Sequence, residues 1–321
     1  MDSGIVAAVD ARREEAFAIR KENFCDTISF FAPGLKRFST EEFQQKTPRA
    51  FRPISLTGSA CALQCEHCQS KILEPMIPLN PREGLFTLAQ RLHQQGTTGI
   101  LISGGSNKTG AVPLQKYYEE IARIKAKLGM RVMVHTGLVD RETARQLKAA
   151  GVDGVMIDII GANETIQQVY HLNKTTADYE QSLAYFSEFG LSIRPHIILG
   201  LHFGQFLGEY HALDMISRYP VHSLIIVILT PLVGTAMQNV PPPPLPDIET
   251  FFYRSRLQLP ETPIMIGCAR PLGDHKVAVD YMAVDYGLNG IAYPADGVVA
   301  YARKKGLKPK FFEDSCSCGS A

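Results

Sequence analysis

The sequence predicts an α/β protein built on a (β/α)8 TIM-type barrel. Short β-rich runs alternate with amphipathic helical segments, which implies parallel βαβ units. Two of those runs, around 154–160 and 223–230, are almost wholly apolar, as strands covered on both faces are. Counted along the chain, the units number eight and span roughly 250 residues, the usual size of a closed barrel.

The elements follow in order. "MDSGIVAAVDARREEAF" reads as an amphipathic helix, followed by extended "CDTISFFAPGLKRF" and polar "STEEFQQKTPRA". The strand candidates are "ISLT" (54–57), "GILIS" (99–103), "RVMVHT" (131–136), "GVMIDII" (154–160), "IRPHIILG" (193–200), "SLIIVILT" (223–230), "PIMIG" (263–267) and "GIAYP" (290–294). Helical segments such as "FTLAQRLHQQ", "QKYYEEIARIKAKL" and "ETFFYRSRLQL" lie between them. "VPPPPLPDIET" at 240–250 reads as a stiff connection into a helix, with "DIET" as its capping box. An open doubly wound sheet would place a phosphate-binding glycine loop after the first strand; "GSACALQCEHC" stands there instead. The expected organisation is an N-terminal extension (1–50) folding over the barrel, the barrel (51–305) and a cysteine-bearing tail (306–321).

Composition excludes several classes. With 33 basic and 32 acidic residues the net charge is +1, so nothing points to nucleic acid. No apolar run is long enough to span a membrane, and the start has no cleavable apolar core. The expectation is a cytoplasmic protein, where clustered cysteines serve metals or catalysis more than disulfides.

Three of the seven cysteines, Cys61, Cys65 and Cys68, fall in a CxxxCxxC spacing. Thiolates select zinc, copper(I) or iron–sulfur clusters. Structural zinc usually takes two separated ligand pairs, and the local fourth candidate, His67, is poorly placed beside Cys68. Buried cysteines acting as small hydrophobes are the bland alternative. Three ligands on one loop suit a 4Fe–4S cluster with one iron left open. The loop follows the first strand, at the barrel face where active sites lie.

Here the chain resembles the radical S-adenosylmethionine superfamily, whose signature is CxxxCx(aromatic)C after the first strand. The resemblance implies a radical SAM barrel whose open iron binds S-adenosylmethionine and whose reduced cluster cleaves it to a hydrogen-abstracting 5′-deoxyadenosyl radical. His67 occupies the aromatic position, expected near adenine. "ISGGS" (102–106) matches the glycine-rich segment after strand two, making Gly104 and Gly105 the expected contacts of the methionine amino group. His135, Asp158, Arg194 and His196 lie near strand ends. Asp158 is expected at the ribose hydroxyls and Arg194 at the methionine carboxylate, with His135 and His196 lining the same pocket. Four cysteines remain, Cys25, Cys268, Cys316 and Cys318, the number that ligates a second 4Fe–4S cluster.

"FFAPGLKRFSTEEF", "ISLTGSACALQCEHCQSKILEPM", "RPHIILGLHFG" and "MIGCARPLG" are similar to one component of the two-component lipoyl synthases, biotin-synthase-like proteins. This implies sulfur insertion into an octanoyl chain on a lipoyl-domain carrier protein, the auxiliary cluster donating sulfur. The implied partners are a companion radical enzyme and a reductant such as ferredoxin or flavodoxin. The alternatives are a biotin-synthase-like enzyme acting on a free small molecule and a non-enzymatic iron–sulfur electron carrier.

Overall fold

The computed structural model describes residues 3–315 apart from residues 35, 48 and 81, and side chains from residue 9 onward. Cys316 and Cys318 therefore lie outside the described residues. Among the described residues eleven strands occur in chain order: β1 (Thr27–Phe31), β2 (Phe51–Ser55), β3 (Ile77–Pro78), β4 (Gly99–Ser103), β5 (Arg131–His135), β6 (Gly154–Asp158), β7 (Ile193–Leu199), β8 (Leu224–Ile228), β9 (Ile264–Ile266), β10 (Gly290–Ala292) and β11 (Lys308–Phe312). The helices are α1 (Ser3–Asn23), α2 (Leu85–Gln94), α3 (Tyr118–Leu128), α4 (Arg141–Ala149), α5 (Asn163–Gln168), α6 (Thr176–Glu188), α7 (Glu209–Ser217), α8 (Leu245–Gln258), α9 (Asp274–Asp285) and α10 (Val298–Lys304).

All strands run parallel in one curled sheet, ordered β11-β1-β10-β9-β8-β7-β6-β5-β4-β2-β3. The eight expected strands are β2 and β4–β10. The extension adds β1 to the sheet itself, beyond β10, and the tail region adds β11 beside β1. Among the described residues no ladder joins the two edges, so the sheet is a half-barrel. Side chains bridge the opening instead. Glu313 accepts hydrogen bonds from Thr47 and the Lys46 amide, and Arg131 pairs with Asp314 at 2.7 Å.

Strand side chains alternate faces. Ile100, Ile102, Val132, Val134, Val155, Ile157, Ile226 and Ile266 point outward and form the main core with helix residues such as Leu88, Ile121, Leu147 and Phe251. The interleaved residues face inward, where Phe51, Met133, Met156 and Leu101 plug the floor. This alternation is why one layer of residues along β5–β7 meets at the mouth.

One local expectation changes. The "DIET" capping box is not used, because α8 begins at Leu245 with a proline in its first turn, where a fixed φ and a missing N–H cost nothing. The joint between α1 and β1 is held by Arg20, a fully buried side chain whose guanidinium donates to the Cys25 and Thr27 carbonyls at 3.2 and 2.6 Å.

Candidate functional site

Beyond β2 the chain winds into the cysteine loop. Gln64, Gln69 and Ser70 hold positive φ angles of 48°, 41° and 59°, local strain that wraps the loop around its sulfurs. The Cys68 and Gln69 amides donate to the Cys65 carbonyl at 3.1 and 2.9 Å, making one tight turn. Cys65 and Cys68 are buried and Cys61 half-buried. The Cys65 and Cys68 sulfurs and a His67 ring nitrogen lie within 4.8 Å of one another. Cys61 sits to one side, its sulfur 3.8 Å from the Ser106 carbonyl. The hydrogen bond from Cys65 draws the Cys68 thiol down to about 4 against its burial; as donor, Cys65 is pushed up.

The segment after β4 carries this loop. Ala62 donates to the Ser106 carbonyl at 2.8 Å, and Gly105 donates to Thr57 Oγ1 at 2.7 Å. A Cβ on Gly105 would stand 2.0 Å from the Ala60 carbonyl oxygen and 2.6 Å from Cys61 Cα, so only glycine fits. At Gly104 the same atom would meet Thr57 Oγ1 at 3.2 Å, a tight but milder contact.

His135, Asp158 and His196 converge at the mouth, with ligating atoms within 4.8 Å of one another. His135 Nε2 lies 3.7 Å from Asp158 Oδ1, and the two imidazoles meet edge-on at 5.7 Å. Burial pushes the Asp158 carboxyl up, but the attraction of His135, His196 and His67 outweighs it and brings it down to about 2. His196 falls to about 4, through burial first and His135 in addition, with Asp158 opposing. Its Nδ1 faces the Arg194 carbonyl at 3.1 Å, which aims the other nitrogen at the cluster of three.

Arg194 does not join them. It shares the inner face, but its Nη1 donates to Ser192 Oγ at 2.7 Å and approaches the Asp153 carbonyl at 3.4 Å, towards the N-terminal strand ends. Gly154 makes room for it: a Cβ there would lie 2.2 Å from Nη1. The expected pairing with a carboxylate at the mouth is therefore replaced by an internal anchor. His67 lies among the thiols and packs on Tyr170, ring centroids 5.3 Å apart.

Tyr170 is a residue that pattern reading missed. It follows α5, and its neighbours latch onto the cysteine loop: the Glu66 amide donates to the Val169 carbonyl at 3.0 Å, and His171 pairs with Glu66 at 3.0 Å. Burial, with the charges of Asp158 and Cys65, holds its phenol well above the ordinary value, so it stays protonated. No spacing signal marks this tyrosine; only the docking of the loop after α5 brings it in. His171 is thus part of the same latch.

The β8–β10 side is apolar. Phe31, Phe43, Ile225, Met265, Ala292 and Tyr293 form an inner cluster, with Phe38, Val227 and Cys268 packed on it. The loops are tied by a buried ion pair: Arg270 donates to Asp280 at 2.8 Å and to the Gly267, Ala292 and Tyr293 carbonyls. Lys36 lies 4.4 Å over the Tyr293 ring.

Cys268 and Cys25 are not brought together. Ser29 is level with Gly290 and Gly290 with Met265, so Cys25 lies four residues below this level and Cys268 three above it. That separates them by roughly 20 Å along the strands. Cys25 is exposed at the N-terminal strand ends, whereas Cys268 is at the mouth. A four-cysteine cluster cannot include both, and Cys25 drops out.

A family model described as the Radical SAM superfamily matches residues 55–207. The biotin synthase of Synechococcus sp. (strain JA-3-3Ab) is 28% identical over 274 residues, covering 80% of this chain and 86% of that protein. Two solved structures share the fold. The FeFe-hydrogenase maturase HydG from Carboxydothermus hydrogenoformans has a TM-score of 0.62 at 16% identity, covering 94% of this chain and 71% of that one. Methylornithine synthase (PylB) has a TM-score of 0.60 at 13% identity, covering 97% and 91%. No described helix is long and apolar enough to cross a membrane.

Proposed function

We propose that this chain is a radical SAM enzyme, a reading supported by the match over residues 55–207 and by the biotin synthase relative, and that it inserts sulfur into an alkyl chain, with a carrier-bound octanoyl group as substrate. The observation that carries this reading is the facing of two unlike walls across one mouth: three thiols with a polar pocket on one side, an apolar surface bearing Cys268 on the other.

The residues fit the cofactors the family implies. Three thiols on one loop suit a 4Fe–4S cluster, and the buried Tyr170 hydroxyl, without a partner among the described residues, sits where a polar cofactor would meet it. When bound, the cluster with S-adenosylmethionine supplies hydrogen abstraction from an unactivated carbon, and a second, sulfur-bearing cluster supplies the sulfur.

The chain's own part is positioning. Cys61, Cys65 and Cys68 hold the cluster, while Gly105 lets the segment after β4 close under it. Asp158, kept ionised by His135 and His196, accepts hydrogen bonds from ribose hydroxyls. Phe38, Val227 and Tyr293 exclude water and receive the alkyl chain. Cys268, with tail residues Cys316 and Cys318, holds the sulfur donor; Cys25 takes no part. A companion radical enzyme adds the other sulfur, and a ferredoxin or flavodoxin supplies electrons.

The test is anaerobic reconstitution with S-adenosylmethionine and an octanoylated lipoyl-domain peptide, read by mass. A gain of one sulfur is the expected result; an unmodified peptide beside freshly formed 5′-deoxyadenosine rejects the substrate. The biotin synthase relative favours a second reading, sulfur insertion into a free small molecule. Dethiobiotin in the same assay distinguishes the two.

A further inference from the structure

His67 stands at the position where the superfamily signature carries an aromatic residue, yet its surroundings here belong to the sulfurs. It lies on the tight turn closed by the Cys68 and Gln69 amides on the Cys65 carbonyl, with a ring nitrogen within 4.8 Å of both the Cys65 and Cys68 sulfurs. Tyr170 covers the ring at 5.3 Å and a 42° tilt. Tyr170 is itself held in register by the hydrogen bond and ion pair that Glu66 makes on either side of it, to Val169 and His171. One side of the ring is thus taken by Tyr170, and a ring nitrogen faces the thiols.

We propose that His67 serves the iron–sulfur group rather than the nucleoside: it donates a hydrogen bond to a cysteine sulfur of the cluster held by Cys61, Cys65 and Cys68, and Tyr170 is the positioning residue that keeps its ring on that sulfur. This rests on the reading of those three cysteines as cluster ligands. The consequence is electrochemical. Reduction adds negative charge to the cluster, and a hydrogen bond to sulfur stabilises the more negative state, so the donor raises the reduction potential. A histidine at this position therefore sets how strong a reductant the enzyme requires.

The experiment uses the full chain, reconstituted anaerobically, as wild type, His67→Phe, Tyr170→Ala and the double variant. Iron content, S-adenosylmethionine affinity and the midpoint potential from an EPR-monitored redox titration are measured for each. Phenylalanine retains an aromatic ring and removes the donor. The expected result is unchanged iron and cofactor affinity in His67→Phe with a potential shifted to more negative values. Tyr170→Ala should shift it in the same direction, and the double variant no further than His67→Phe alone, because the two act through one hydrogen bond. A merely structural tyrosine would not show that non-additivity. An unchanged potential in His67→Phe overturns the proposal. Loss of iron from that variant also overturns it, by making His67 a direct ligand. A wild-type chain that assembles no cluster at Cys61, Cys65 and Cys68 refutes the underlying reading instead, and is recognised before any variant is compared.

Discussion

The two halves of the barrel mouth are made from the same kind of strand and do opposite things. Along β5, β6 and β7 the inward positions at or near the strand ends include His135, Asp158 and His196. Across the ladder, His196 is level with Ile225 and Ile225 with Met265, and from there through β10 the inner residues are apolar. Strand propensity does not explain the difference, since outward positions on both halves are uniformly aliphatic. What differs is what each half must touch. A carboxylate in a half-buried pocket is costly unless opposite charges or donors surround it, and Asp158 has two imidazoles. The apolar half has no such need and gains by shedding water.

Replacing Cys61, Cys65 and Cys68 together by Ala removes the element both halves serve. 5′-Deoxyadenosine formation, followed by chromatography, should fall to background, and any residual turnover above background would break the comparison outright. Asp158→Ala acts on the polar half alone. A lost hydrogen bond to a charged acceptor is worth about 1.5–3 kcal/mol, so S-adenosylmethionine affinity should weaken on the order of 10- to 100-fold by equilibrium dialysis. Arg194→Lys should leave that affinity unchanged, because the guanidinium points to the opposite end of the strands.

Phe38→Ala acts on the apolar half. Removing about 60 Å² of buried apolar surface costs roughly 1.5 kcal/mol. It should raise the KM for the octanoyl peptide about tenfold while leaving cofactor affinity untouched. Equal losses in both would show that the two walls are not separate sites.

The smallest effect is on stability against pH. His196 is held at about 4 in the folded chain, against 6.5 ordinarily, by burial and by His135 while Asp158 opposes. A histidine with a depressed folded value contributes stability that is complete above 6.5 and lost as pH falls towards 4, because the unfolded chain takes up the proton first. The loss should approach about 3 kcal/mol. Urea denaturation of His196→Phe between pH 7 and 4 should show a flatter acid slope than wild type. A parallel slope would mean that another group carries the effect.

The α/β class, the eight successive strands and the cysteine loop were all legible along the chain, because each depends on neighbours in sequence: a period of 2 or 3.6, a turn, a three-cysteine spacing. His135, Asp158 and His196 were legible as well, since inward position and nearness to a strand end follow from register alone. Arg194 was misplaced because a long side chain on the right face can still reach the wrong end of the strand. Tyr170 was missed because nothing near it in sequence binds anything. Its place depends on the loop after α5 meeting a loop a hundred residues earlier.

What the sequence determined by itself is the local chemistry: which segments become strands, which face each residue takes, and which loop carries three thiols. The tertiary structure alone decided which cysteines share an end of the barrel. Parallel register puts Cys268 at the mouth and Cys25 at the opposite end, a separation no count of cysteines can reveal. It also decided that His67 lies among sulfurs, because a side chain's direction is set by the packing around it and not by the motif that names its position.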